Sequence, residues 1–318
     1  MFLRVEKISK EYTSGIFRLR RHKVLEEVTF TLEQGETLGL VGESGCGKST
    51  LARTILGLTP PSSGRVFFRG QEVFSAGGRL KKEFCGRMQI VFQHPESALN
   101  PRMKVWDSLL EPLRLKKTSP FKEEQINRCS TLLRRVGLGE EYLCRYPHEL
   151  SGGQIQRIVL ARVLSLQPEL LIADEPTSQL DVSVQAQVLR ILKDIQMENN
   201  IGLLFISHDL DVVGWVSDRI AVMLKGQIIE HAPAGLIGRE PLHPYTRLLL
   251  RSYSMSDSKK TSRAVQGRSM GPDLGVLEKA CVYFADCPRA RQECRQKPRL
   301  MEVNDGHYVA CWQAIPLG

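Results

Sequence analysis

Gly42-Glu43-Ser44-Gly45-Cys46-Gly47-Lys48-Ser49 is the stretch on which the reading of this chain turns. It matches GxxxxGK[ST], with the apolar run Leu38–Val41 before it and the helical pattern Thr50–Leu58 after it, the strand–loop–helix setting that gives the pattern meaning. In that setting glycines let backbone N–H groups wrap phosphates at a helix N-terminus. Lys48 reaches the β and γ phosphates, and the Ser49 hydroxyl binds Mg²⁺. The candidate nucleotide-binding set is therefore Gly42, Glu43, Ser44, Gly45, Cys46, Gly47, Lys48, Ser49 and Thr50. Cys46 is expected to contribute backbone rather than thiol chemistry.

Working outward, Leu38–Val41, Met88–Phe92, Leu170–Asp174 and Gly202–Ile206 are short apolar runs ending in polar or glycine residues, as buried strands of an α/β sheet do. Chemistry collects at such strand ends. Between the second and third runs lies helical periodicity, at Val105–Leu115 and Glu123–Val136, which reads as a helical insertion spanning about residues 94–165. An amphipathic helix at Val184–Met197 follows, and Lys225-Gly226 is placed to turn a hairpin between Arg219–Leu224 and Gln227–Glu230. Residues 252–272 are rich in Ser, Lys, Arg and Gly and read as a linker. The expected organisation is a main domain over 1–251, that linker, and a small cysteine-rich extension over 273–318.

The chain has 318 residues, 42% of them apolar and 25% charged, which fits a folded globular protein and excludes a disordered one. Its longest apolar runs fall far short of the roughly 20 residues that span a bilayer, and its start lacks the apolar core of a signal peptide. Nothing is expected to cross or leave through a membrane. The net charge of +9 is spread along the chain, with one dense basic run at Arg18–Lys23, read as a solvated loop.

Leu170–Glu175 is an apolar strand delivering two adjacent carboxylates. Asp174 is expected to hold the Mg²⁺ shell and Glu175 to polarise an attacking water as general base. Leu150-Ser151-Gly152-Gly153-Gln154 opens the helical pattern Ile155–Leu164, so its small residues expose N–H groups at a positive helix end suited to phosphate.

With the phosphate loop, that pentapeptide resembles the signature motif of ABC ATPases. The resemblance implies a P-loop NTPase fold of ABC type. It also implies further site residues, found here in the family's order. Tyr12 resembles the aromatic that stacks on adenine, Gln93 the glutamine that joins Ser49 and Asp174 around Mg²⁺, Asp181 the D-loop aspartate, and His208 the switch histidine. Glu175, His208 and Gln93 form the implied catalytic set. Ser151, Gly152 and Gly153 are implied to face the γ-phosphate held by a second subunit, with Gln154 beside them in the nucleotide-binding set, so that two ATP molecules lie between two chains. One departure is Gln179, where the family usually carries a small residue.

Asp181–Leu189 and His243-Pro244-Tyr245-Thr246-Arg247 narrow the resemblance to the peptide and nickel importer subgroup. That implies a second, non-identical ATPase subunit, two permeases, an external substrate-binding protein, and a place on the cytoplasmic face of the membrane, with no role for nucleic acid. Dipeptides, oligopeptides, nickel and metal chelates all stay open as cargo. A soluble ABC ATPase acting on nucleic acid or ribosomes is the alternative suggested by the basic charge; it usually has fused modules or a long coiled coil, neither of which is seen.

Cys281, Cys287, Cys294 and Cys311 crowd the C-terminal forty residues, spaced unlike the CxxC pairs of structural zinc sites. A [4Fe–4S] cluster leads, favoured by four thiolates, by Pro288 after Cys287, and by the subgroup's cysteine-bearing extension. Unligated thiols, zinc and a disulfide stay open beside it.

Overall fold

The computed structural model describes residues 1–14, 20–75, 78–115, 122–254 and 279–314. The linker at 252–272 lies almost wholly outside them, as does part of the basic run at 18–23.

Twelve strands and eight α-helices are present among the described residues. β1 (Leu3–Ser14) and β2 (Arg20–Leu32) open the chain, followed by β3 (Thr37–Val41), α1 (Lys48–Ile55), β4 (Ser63–Phe68), β5 (Gln71–Glu72) and β6 (Met88–Val91). Next come α2 (Val105–Leu115), α3 (Lys122–Arg135), α4 (Gly152–Leu164), β7 (Leu170–Asp174), α5 (Val182–Glu198) and β8 (Gly202–Ile206). The chain continues through α6 (Leu210–Val216), β9 (Arg219–Leu224), β10 (Gln227–Pro233), α7 (Ala234–Arg239), α8 (Pro244–Ser254), β11 (Met301–Asn304) and β12 (His307–Val309).

β3, β7 and β8 are buried along their whole lengths and stand inside an eight-stranded sheet of order β11-β12-β10-β9-β3-β8-β7-β6. The run from β9 to β6 is parallel. A strand covered on both faces must be apolar at consecutive positions, which is why these segments read as unbroken apolar runs. Their alternate residues divide between two cores. Val41, Leu171, Ala173, Leu203 and Phe205 face the helical side. Leu38, Leu40, Leu170, Ile172, Leu204 and Ile206 face α1 and a second sheet.

That second sheet, four antiparallel strands in the order β2-β1-β4-β5, has no counterpart in the sequence pattern. Its register shifts at several points along β1, so the period-2 alternation that betrays a half-buried strand is broken. α2, α3 and α4 lie between β6 and β7, where the helical insertion is expected. α4 starts on a capping box: the Gln154 amide donates to Ser151 Oγ at 3.4 Å and the Ser151 amide to Gln154 Oε1 at 2.9 Å.

The C-terminal stretch joins the main sheet. β12 pairs antiparallel with β10, matching Glu230 with Val309 and His231 with Tyr308, and β11 completes the edge. Tyr283 belongs to the main helical-side core. His307 approaches the fully buried Glu230 at 2.8 Å, and the same carboxylate accepts from the Leu242 and His243 amides at 2.7 and 2.9 Å.

Candidate functional site

The phosphate loop runs from the end of β3 into α1. Gly47, the residue before the helix, has φ of 112°, and a Cβ there would stand 2.8 Å from Val24 O, so both backbone angle and space demand glycine. Lys48 is buried, its ammonium donating to Gly42 O at 2.7 Å and Glu43 O at 3.0 Å, so the lysine is folded back over its own loop.

β7 stands beside β8, which in turn neighbours β3. Asp174, at its end, accepts from Ser49 Oγ at 3.1 Å across 125 residues of sequence. Burial raises the Asp174 pKa, against the lowering effect of the Ser49 hydroxyl. Glu175 sits in the left-handed backbone region at φ of 48°, a conformation a glutamate adopts only when its surroundings enforce it. Its amide donates to Ile206 O on β8 at 2.9 Å. That turn sets its carboxylate between two side chains: Gln93 Nε2 donates to Oε2 at 3.1 Å, and His208 Nδ1 lies 3.3 Å from the same oxygen. Gln93 comes from the loop after β6 and His208 from the loop after β8, so three neighbouring strand ends supply the group.

Ser44, Gly45, Gly47, Lys48, Ser49, Thr50, Gln93, Glu175 and His208 line one cleft of about 390 Å³, joined by Val24 of β2. Val24 escapes a sequence reading, since nothing distinguishes a valine in a strand. A larger hollow of about 460 Å³, beside α7 and α8, is lined by none of the expected residues.

Other expected residues stand apart from that cleft. Tyr12 is exposed on β1 with Lys10 Nζ 5.0 Å from its ring centre. Ser151 and Gly152 are exposed at the start of α4; a Cβ on Gly153 would meet Val184 of α5 at 2.4 Å, so that glycine lets two helices touch. Gln154 also donates to Tyr142 Oη at 3.0 Å. Asp181 caps α5 by accepting from the Val184 amide at 3.0 Å and from Ser183 Oγ at 2.7 Å, and the Ser183 hydroxyl is the leading cause of its lowered pKa. Gln179 has a partner that no small residue could have: its Nε2 lies 2.9 Å from His94 Nδ1, next to Gln93.

The expected iron–sulfur cluster gains no support here. All eight cysteines are free thiols. Among the described residues no group of three or more His, Cys, Asp or Glu side chains could hold a metal ion. The four C-terminal cysteines do influence one another, but burial is the leading cause that raises the thiols of Cys281, to about 11, and of Cys287 and Cys311. Cys281 and Cys287 pack against the main core, and the Cys281 amide donates to Cys294 O at 2.9 Å. No metal is assigned to these four cysteines.

A glycine loop between a parallel strand and a helix, with a carboxylate from a nearby strand hydrogen-bonded to the loop's serine, defines a phosphate-loop nucleotide-binding ATPase. Residues 25–178 match the ABC transporter family, and residues 229–294 match the oligopeptide/dipeptide transporter C-terminal region. The chain is 42% identical over 312 residues to the putative oligopeptide transport ATP-binding protein YkfD of Bacillus subtilis, covering 97% of this chain and 94% of that one. It is 43% identical over 307 residues to the di/tripeptide transport ATP-binding protein DppF of Pseudomonas aeruginosa, covering 96% and 94%. Among solved structures, the dimeric ATP-binding cassette MJ0796 in a post-hydrolysis state bound to ADP and Pi matches with a TM-score of 0.64 at 26% identity, over 73% of this chain and 98% of that one.

The chain belongs to the ATP-binding subunits of the oligopeptide/dipeptide ABC transporter family. It is an ATPase whose hydrolysis powers transport. No helix among the described residues is long and apolar enough to cross a membrane. Nickel as cargo gains no support from these relatives, and the nucleic-acid alternative is not favoured.

Proposed function

We propose that this chain is the ATP-hydrolysing subunit of a peptide importer and that the cleft between the phosphate loop and Glu175 is its hydrolytic site. The observation that carries the reading is the Glu175 carboxylate, held in a rare backbone conformation between Gln93 and His208 on the wall that faces Lys48 and Ser49. A base so fixed needs no reorganisation to meet a water in line with a terminal phosphate.

In this reading the backbone from Gly42 to Thr50, including Glu43, Ser44, Gly45, Cys46 and Gly47, cradles the phosphates. Lys48 leaves the Gly42 and Glu43 carbonyls to reach the β and γ phosphates. Ser49 and Asp174, already 3.1 Å apart, offer the hard oxygen pair that Mg²⁺ takes, with Gln93 completing the set. When bound, Mg²⁺ supplies charge neutralisation on the β- and γ-phosphate oxygens. Glu175 polarises the water, and His208 orients that carboxylate and the departing phosphate. Tyr12 faces the adenine. Ser151, Gly152, Gly153 and Gln154 stand outside their own cleft, which supports a role for them against the γ-phosphate of a second subunit, with Asp181 at the same contact; the similar cassette MJ0796 is itself dimeric.

The partners in this proposal are a second, non-identical ATPase subunit and two permeases, with an external peptide-binding protein acting through them. The chain works at the cytoplasmic face of the membrane. Purification with its permeases should give a complex whose ATP hydrolysis rises with binding protein and peptide, and proteoliposomes holding it should take up labelled peptide. A complex whose hydrolysis ignores peptide and that moves none in ATP would sink the peptide-import reading.

A further inference from the structure

Tyr245 occupies a place that the hydrolytic chemistry leaves unexplained. It lies in the first turn of α8, is 2% exposed, and is separated from the phosphate loop by about 200 residues, yet the Glu43 amide donates to its hydroxyl at 3.3 Å. Both backbone groups of Glu43 are thereby engaged, since its carbonyl, in the following peptide, accepts from Lys48 Nζ at 3.0 Å. Burial, with the Glu43 charge next, raises the pKa of the phenol, so it serves as a neutral hydroxyl that accepts from the amide and donates toward the Glu43 carboxylate.

Tyr245 is itself fixed from behind. Its amide donates to His243 Nδ1 at 3.0 Å, and the His243 and Leu242 amides are anchored on Glu230, which also binds His307 of the C-terminal hairpin. The Tyr283 ring packs edge-on against Tyr245 with centroids 5.6 Å apart and lies 5.8 Å from His243. A second route runs beside the first. Lys225 pairs with Asp286 at 3.3 Å, and the next residue, Gly226, donates its amide to Cys46 O in the phosphate loop at 2.8 Å.

We propose that Tyr245 is a positioning residue for nucleotide binding, setting the Glu43 peptide of the phosphate loop, and that the C-terminal segment holds Tyr245 in place through Tyr283. The proposal rests on the reading of Gly42–Ser49 as the ATP-binding loop. Phosphate affinity in such a loop comes from amides aimed at one point, and rotation of one peptide turns its neighbours away from that point. Tyr245 fixes the peptide at which the loop leaves β3, and still holds it once Lys48 has turned to the phosphates, so the amides after it inherit their direction. The segment 279–314 thereby has a mechanical connection to ATP affinity, whose first route is one aromatic contact and one hydrogen bond.

The test compares full-length wild type with Tyr245→Phe, Tyr283→Leu and Lys48→Ala, measuring the affinity for a fluorescent ATP analogue and the thermal midpoint of each. Tyr245→Phe keeps the ring and its packing but removes the acceptor. Its Kd should rise about fivefold, the worth of one ordinary hydrogen bond. In the assembled transporter its KM for ATP should rise in the same proportion while kcat stays within about twofold. Tyr283→Leu should raise Kd in the same direction with the hydroxyl still present. A purely structural tyrosine would lower the thermal midpoint and leave the Kd ratio, measured where every variant is folded, at one; that result overturns the proposal. A normal Kd in Tyr283→Leu beside a raised one in Tyr245→Phe overturns the role of the C-terminal segment. If Lys48→Ala binds as wild type, the reading of the loop itself is wrong, a failure distinct from both.

Discussion

Glu230→Ala strips the acceptor from three donors at once, and its cost follows from the geometry. Glu230 is fully buried on β10, and its carboxylate accepts from the Leu242 amide at 2.7 Å, the His243 amide at 2.9 Å and His307 Nε2 at 2.8 Å. A buried donor left without an acceptor costs about 1–3 kcal/mol. Because the three share one carboxylate their costs overlap, so a loss of about 4 kcal/mol is expected from the hydrogen bonds, a large part of the roughly 5–15 kcal/mol that holds a domain folded. Glu230→Gln should recover only part of this, since its amide nitrogen would point donor at donor. Guanidinium unfolding followed by tryptophan fluorescence measures the difference, with Trp312 reporting on the C-terminal segment. A Glu230→Ala protein within about 1 kcal/mol of wild type at an unchanged m-value would refute the idea that this carboxylate ties the C-terminal hairpin to the loop before α8.

Two histidines, His243 buried and His231 half-buried, make stability depend on pH. His231 and His243 have pKa values lowered to about 4, chiefly by burial, so between pH 6.5 and 4 the unfolded chain binds more protons than the folded one. Each contributes stability that is present above pH 6.5 and is lost as the pH falls toward 4, up to about 3 kcal/mol apiece. Thermal midpoints taken across that window should fall with pH, and His243→Asn should flatten the profile; a wild-type midpoint that does not change as the pH falls through the window contradicts the assignment. Gln179→Ala removes the 2.9 Å contact with His94 and frees the loop that carries Gln93. Hydrolysis by the assembled transporter should change by about fivefold or less, because both side chains are exposed and one such hydrogen bond is worth about 1 kcal/mol. A tenfold loss would place Gln179 in the reaction itself.

How much of this is legible in the sequence differs from element to element. β7 and β8 can be read to the residue, because a strand buried on both faces leaves an unbroken apolar run and the strand ends are marked by Asp174 and Ser207. Part of the cleft is legible for the same reason, since Lys48, Ser49 and Glu175 follow closely on buried strands or open the helix after one, whereas Gln93 and His208 are reached only through the family resemblance. β1 and β2 are not, since their register shifts break the alternation. The docking of the C-terminal segment is also hidden. It rests on single long-range contacts, Glu230 with His307 and Tyr245 with Tyr283, and no local pattern announces a pairing across tens of residues. The cysteines are the least legible part, because spacing records which thiols are available and not how the fold arranges them.

The most direct measurement of the central claim is ATP turnover by the assembled transporter carrying Glu175→Gln. The amide preserves the shape of the side chain and its place beside Gln93 and His208 but is no base. ATP affinity should stay within about twofold of wild type, while hydrolysis falls by about 10²–10⁴, the range that a positioned general base supplies. Hydrolysis at a rate close to wild type, with ATP bound normally, would contradict the assignment of Glu175 and with it the account of the cleft.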